Sequence, residues 1–387
     1  MMKSLLSLRT LSLQSLMTLV LMSLLLSACV QHGGTLREPL VLEKKSDQVA
    51  IDYCEKLLAQ FNTRDYQSFL DNIDKQPLIR KLQLQLGNNS RYTEQLPHLE
   101  KRVDYVIKQF GQTLSKFKAK RWYPIESPRD QAGKTCLIHS SLVENAMSII
   151  KIRYRALRSG PAQVVEVEEL NSNISLYSRA LTFINILTLA PEHQNSFSAY
   201  LANIDKKSVR QRIEEFRRLP VEFKHQAVAL VPLFRLVDDK NAQYFQPLVE
   251  EYLAAQSDSK KSFFLQAYWL ATNQYDKAKN QIDSLYELLG PSAPIDLYYA
   301  SLEFDLGERR QAYRHYSDLI ERNIDFEDGY WAMLGALMED KRHEETVLAL
   351  KALESYFGYS FEGVEFNEPR MKQFSESSAY KNWVSAR

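Results

Sequence analysis

Glycine is scarce in this chain, with twelve among 387 residues, and the scarcity excludes much chemistry. No Walker-type loop, phosphate cradle or dinucleotide-binding turn can be written from it, and neither G-x-S-x-G nor H-E-x-x-H occurs. An excess of one charge is missing too: 49 Lys and Arg stand against 48 Asp and Glu. A nearly neutral chain with dispersed charge has no electrostatic footprint for nucleic acid. Cysteine occupies only positions 29, 54 and 136, and the seven histidines are scattered. His315 and His343 fall on expected helices of adjacent units, yet two imidazoles without further ligands make no zinc site. Cys136 and His139 are three apart in an expected strand, which puts them on opposite faces and argues against a thiol–imidazole pair of neighbours. The acid pairs Glu214-Glu215, Glu250-Glu251 and Glu344-Glu345 read as solvated helix faces. The expectation is a protein that is not an enzyme, with no catalytic residues, no metal and no cofactor beyond any covalent lipid.

What is present begins at the N-terminus. Lys3 and Arg9 precede an apolar stretch from Leu16 to Leu26, followed by Leu26-Ser27-Ala28-Cys29. A basic segment, a short apolar run and small residues at a cut have the pattern of a secretory signal, too short for a spanning helix. The four residues resemble the lipobox of bacterial lipoproteins. That resemblance implies a signal peptide over 1–28 and a Cys29 carrying diacylglycerol on its thiol and an acyl chain on its amine. Several acyl chains make a stable anchor where one does not. Val30, where retained lipoproteins carry Asp, resembles the outer-membrane-sorted pattern, so the expected place is the bacterial cell envelope, on the outer membrane facing the periplasm. Residues 29–47 mix Gly33-Gly34, Pro39 and charges without helical periodicity and read as a lipidated tether. Cys54 and Cys136 remain. In an oxidising compartment they are either a disulfide or two separate buried thiols, since spacing does not place their Cα atoms.

Residues 48–188 are expected to form an α+β domain. Val49, Tyr53, Leu57, Leu58 and Phe61 recur at helical spacing. Asn62-Thr63-Arg64-Asp65-Tyr66 breaks that helix and opens a second with Phe69, Leu70 and Ile73. A third helix spans roughly Leu96 to Phe117. Ile150, Ile152, Tyr154 and Ala156 then alternate with basic residues, and Val165-Glu166-Val167-Glu168 alternates again after a turn at Arg158-Ser159-Gly160-Pro161. Segments at Arg121–Ile125 and Cys136–Ser140 are further strands. This order, with the "Asn-Thr-Arg-Asp-Tyr" break, resembles the cone-shaped cystatin-like α+β fold of the nuclear-transport-factor type. The resemblance implies a pocket between helix and sheet. His139, the one histidine in those strands, reads as a structural residue.

Residues 192–357 read as helices throughout: Ser196–Ile204, Ser208–Leu219, Val221–Val237 and Ala242–Ala254, with kinks expected at Pro232 and Pro247. A repeat follows. Ala278, Ala312 and Thr346 stand 34 residues apart, each followed four positions later by a bulky residue, Ile282, Tyr316 and Leu350. Trp331-Ala332-Met333-Leu334-Gly335 opens the last unit. The period and pattern resemble the tetratricopeptide repeat (TPR), which makes the expected architecture an α+β N-terminal domain followed by an all-α TPR-like helical-hairpin array. Residues 358–387, with Met371, Phe374, Tyr380 and Trp383, are expected to cap it. Mapped on the beat, a partner groove would be lined by Phe263, Ala267, Leu270, Leu297, Ser301 and Phe304. The functional expectation is a membrane-anchored scaffold or adaptor lipoprotein that binds an envelope protein or peptide in that groove. The alternative is a small-molecule or lipid-binding module using a pocket in the α+β domain.

Overall fold

The computed structural model describes residues 43–387 apart from 126–134, 143–146, 156–161, 173, 203–206, 225, 235, 256–262 and 363–368. The signal segment, Cys29, most of the tether and the Arg158–Pro161 turn lie outside the described residues. The chain divides into two compact units at Gly290 and Pro291, within the stretch that the sequence assigned to one helical array.

The first unit opens with α1 (Glu43–Asn62), α2 (Tyr66–Asp71), α3 (Lys75–Leu86) and α4 (Leu99–Lys116). Arg64 takes a left-handed φ of 60° between α1 and α2, and Asp65 caps α2 by accepting from the Ser68 amide at 3.2 Å. Ile73 leaves the helix expected of it and bridges to Val164 on the sheet. Asp74 then caps α3, accepting from the Gln76 amide at 3.0 Å. Helix α3, with Leu78, Ile79, Leu82 and Leu86 buried, was not anticipated. Along α4, Val103, Val106, Ile107, Phe110 and Leu114 make a continuous buried stripe. Gly111 lets α2 approach: a Cβ there would lie 2.3 Å from Leu70 Cδ1.

Five strands follow: β1 (Trp122–Pro124), β2 (Thr135–Ser140), β3 (Ile149–Arg155), β4 (Gln163–Glu169) and β5 (Ile174–Ser175). They pair in sequence order as an antiparallel meander. Cys136, Ile138, Ile150, Ile152 and Tyr154 join the helices in one core, the period-two consequence of a half-buried sheet. Tyr154 faces Val164 while Ile152 faces Val167, so β4 holds one extra residue in a bulge. The bulge turns Val164 into the core in place of Val165, against the simple alternation expected from sequence. Asn62 ties α1 to β1, donating to the Trp122 carbonyl at 3.1 Å and accepting from its amide at 2.7 Å.

Everything after the sheet is helical among the described residues. The first unit continues with α5 (Leu176–Leu187), α6 (Pro191–Ala202), α7 (Val209–Arg217), α8 (Val221–Lys224), α9 (Ala227–Phe234), α10 (Gln246–Ala255), α11 (Gln266–Ala271) and α12 (Tyr275–Leu289). Pro232 lies inside α9. Pro247 kinks nothing, because it stands in the first turn of α10, where its missing N–H has no helical partner to lose.

The second unit holds α13 (Ala293–Asp305), α14 (Arg309–Arg322), α15 (Glu327–Glu339), α16 (His343–Phe357), α17 (Pro369–Ser375) and α18 (Ser378–Ser385). Phe374 and Trp383 from the last two helices enter a core with Tyr330, Leu334, Leu350 and Leu353. One turn recurs along the chain. Asn273, Gly307 and Lys341 have φ of 56°, 78° and 58°, and each precedes the first residue of a helix by two. The next amide reaches back five residues in every case: Gln274 to Trp269 at 2.7 Å, Glu308 to Glu303 at 2.8 Å, Arg342 to Leu337 at 2.9 Å. This is the left-handed helix stop of the Schellman type, spaced at 34 residues. Ala278, Ala312 and Thr346, a few residues into the following helices, are fully buried.

Candidate functional site

The structure joins Cys54 on α1 to Cys136 on β2 in a disulfide, with Cα atoms 5.6 Å apart. His139, on the opposite face of β2 from Cys136, is fully buried and stacked on Tyr123 with ring centroids 5.1 Å apart. Burial pushes its imidazole down to about 4, so it is neutral at physiological pH.

The groove expected from the repeat register is not a groove. Phe263, Ala267, Leu270, Leu297, Ser301 and Phe304 are all buried, none more than 3% exposed. The reason is visible on α13, which is buried almost all the way round from Ala293 to Phe304. Phe304 lies against Tyr313, and the Arg309 guanidinium sits 3.6 Å from its ring centre. These side chains hold helices together and are unavailable to a partner. His315 and His343 do not meet: His343 neighbours Phe374, while His315 belongs to a different cluster.

That cluster joins α13 to α14. His315 Nδ1 lies 3.2 Å from Asp296 Oδ1, its Nε2 lies 3.7 Å from Glu303 Oε2, and its ring stacks on Tyr299. Arg322 Nε is 2.9 Å from Asp296 Oδ2. Donor atoms of Asp296, His315 and Asp318 come within 4.8 Å of one another, close enough to hold a cation. Both oxygens of Asp296 already face positive or protonatable groups, however. The Asp296 hydrogen bond, with Glu303 and Asp318 nearby, raises the His315 pKa against the cost of burial. A protonated imidazole beside an arginine has the character of an ion-pair network rather than of a ligand set.

A second arrangement involves residues that the sequence did not single out. Between α4 and the sheet lies a cavity of about 40 Å³. Its apolar wall includes Phe110, Leu114, Trp122, Ile150, Val167 and Leu176, and its polar groups are Thr113, Ser148, Glu169 and Arg179. Helix α5 starts from a capping box of Ser175 and Ser178, and that start carries Arg179 inward. The guanidinium lies 4.7 Å from the Phe110 ring centre. Burial lowers its pKa to about 9, opposed by the negative charge of Glu169, so it remains a cation at neutral pH. Glu169 is oriented by two hydroxyls, Ser148 Oγ donating at 3.0 Å and Ser172 Oγ at 2.9 Å. A signal did exist in the sequence: Arg179 is the only charged residue of α5, LYSRALTFINIL.

The chain matches no protein-family model, no curated protein and no solved structure. No helix among the described residues is long and apolar enough to cross a membrane.

Proposed function

We propose that the chain is a lipid-anchored scaffold or adaptor of the bacterial envelope, held at the outer membrane through Cys29 and presenting TPR-like helical hairpins to a protein partner. The observation that carries the reading is the 34-residue recurrence of one left-handed turn at Asn273, Gly307 and Lys341, each followed by a fully buried small residue. Hairpins built on one turn and one close crossing have the character of a repeat array, and such an array offers extended surface rather than a chemical centre. The Cys54–Cys136 disulfide supports residence in an oxidising compartment, as the signal pattern before Cys29 requires. The six residues first assigned to a groove have no part in this proposal. A partner would meet outward-facing residues of the hairpins.

Two measurements test it. Cells labelled with a palmitate analogue should incorporate label into the wild-type chain and lose it in Cys29→Ser. In-cell crosslinking of the full chain, read by mass spectrometry, should return one discrete envelope protein, reproducibly and dependent on the crosslinker. Repeated failure to capture any protein would sink the adaptor reading, and unlabelled wild-type chain would sink the anchor.

A further inference from the structure

Arg179 is 7% exposed, and its guanidinium lies over the face of Phe110, 4.7 Å from the ring centre. A guanidinium presents five N–H donors, and burying such donors without acceptors is unfavourable. Glu169 acts on Arg179 through its charge, but no hydrogen bond or ion pair joins the two. The carboxylate is instead fixed by Ser148 and Ser172. Arg179 lines a cavity of about 40 Å³, more than the roughly 10–15 Å³ that a single water needs. The protein thus holds a cation over an apolar chamber, and among the described residues no protein acceptor takes its donors.

We propose that this chamber binds a small monocarboxylate, the carboxylate gripped by Arg179 and the hydrocarbon end packed against Phe110, Leu114, Trp122 and Ile150. Three features select that class. The planar fork of a guanidinium matches a carboxylate with two parallel N–H···O bonds. Glu169 in the same wall repels a second negative charge, which disfavours phosphate and sulfate. The remaining wall is mainly hydrocarbon and aromatic, so a ligand carrying a short apolar tail gains burial that a bare inorganic anion cannot.

The test is calorimetric titration of the full chain with sodium butyrate, with butyramide and inorganic phosphate as matched controls. Saturable butyrate binding is expected, with both controls at least about tenfold weaker. Arg179→Gln should weaken butyrate at least about tenfold while the circular dichroism spectrum is unchanged. Thr113→Trp, a half-buried position in the lining, should do the same by filling the chamber with Arg179 intact, and it decides the matter if Arg179→Gln does not fold. No saturable butyrate binding by wild type up to about 20 mM would overturn the proposal. So would butyramide or phosphate binding equally well, or a folded Arg179→Gln that keeps wild-type affinity. An arginine that merely braces α5 against α4 gives one of those results.

Discussion

Cys54 and Cys136 stand 82 residues apart in sequence and share a disulfide that fastens α1 to the second strand of the sheet. Closing a loop of that length removes freedom from the unfolded chain. In the chain-entropy model, that stabilises the fold by about 4.5 kcal/mol. The double variant Cys54→Ser/Cys136→Ser should therefore unfold at markedly lower urea than wild type, and wild type in dithiothreitol should approach the variant. Superimposable curves with and without reductant would contradict this expectation.

Lys341 adopts a left-handed conformation, φ 58°, where glycine is favoured. A β-carbon in that region costs about 1 kcal/mol. Lys341→Gly should accordingly stabilise the second unit slightly, despite the greater freedom glycine gives the unfolded chain. The reciprocal change, Gly307→Ala, should destabilise it by about 1 kcal/mol. No atom lies within 4 Å of the added carbon, so the loss would report backbone strain alone. Thermal melts of the two variants should move in opposite directions.

His315 faces Asp296 and Glu303 from α13, Asp318 on its own helix, and the ring of Tyr299, with Arg322 on the far side of Asp296. Its pKa is raised in the folded state. The stabilisation it gives is therefore complete below the ordinary histidine range and fades as pH rises through the elevated value. His315→Gln should cost on the order of 1 kcal/mol at pH 6 and distinctly less at pH 9. A penalty independent of pH would mean that the neutral ring packs there for its shape alone.

Asp305 loses stability in the same direction of pH, but through burial rather than pairing. Burial, with the negative charge of Glu339 nearby, lifts its pKa to about 7 against the pull of Arg309. The fold holds that proton more tightly than the unfolded chain does, so stability is lost as pH climbs from the carboxylate range through about 7. Asp305→Asn, which is neutral at every pH, should raise the melting temperature at pH 8 and have little effect at pH 4. An equal effect at both pH values would place the ionised carboxylate in a better environment than its neighbours suggest.

The elements legible in sequence were those whose pattern is local. The α4 stripe from Val103 to Leu114 and the alternation of Ile150, Ile152 and Tyr154 follow from the period of a helix and of a strand. The 34-residue beat could be read because a close helix crossing admits only a small residue at Ala278 and Ala312. Helix α3 escaped because Pro77 stands in its first turn and reads as a breaker, although a proline there is harmless. The assignment of Leu270 and Phe304 to a groove failed for a different reason. Register says which residues share a helix face, but exposure depends on what packs over that face. The pairing of Cys54 with Cys136 was left open, since it rests on the approach of two segments far apart in sequence. Arg179 was missed likewise: its neighbours in the chain are apolar, and only the fold brings Phe110, Ser148 and Glu169 around it.

The disulfide also has a mechanical consequence. Cys54 lies on α1, so tension applied to the chain before that helix passes through α1 on its way to the sheet. Helices pulled end-on from a hydrophobic core peel away turn by turn under modest force. Here the covalent link from Cys54 to Cys136 diverts the load, after less than a dozen residues of α1 have been drawn out, into a strand hydrogen-bonded on both edges. The disulfide therefore keeps a pull on the leading helix from extending the segment between Cys54 and Cys136.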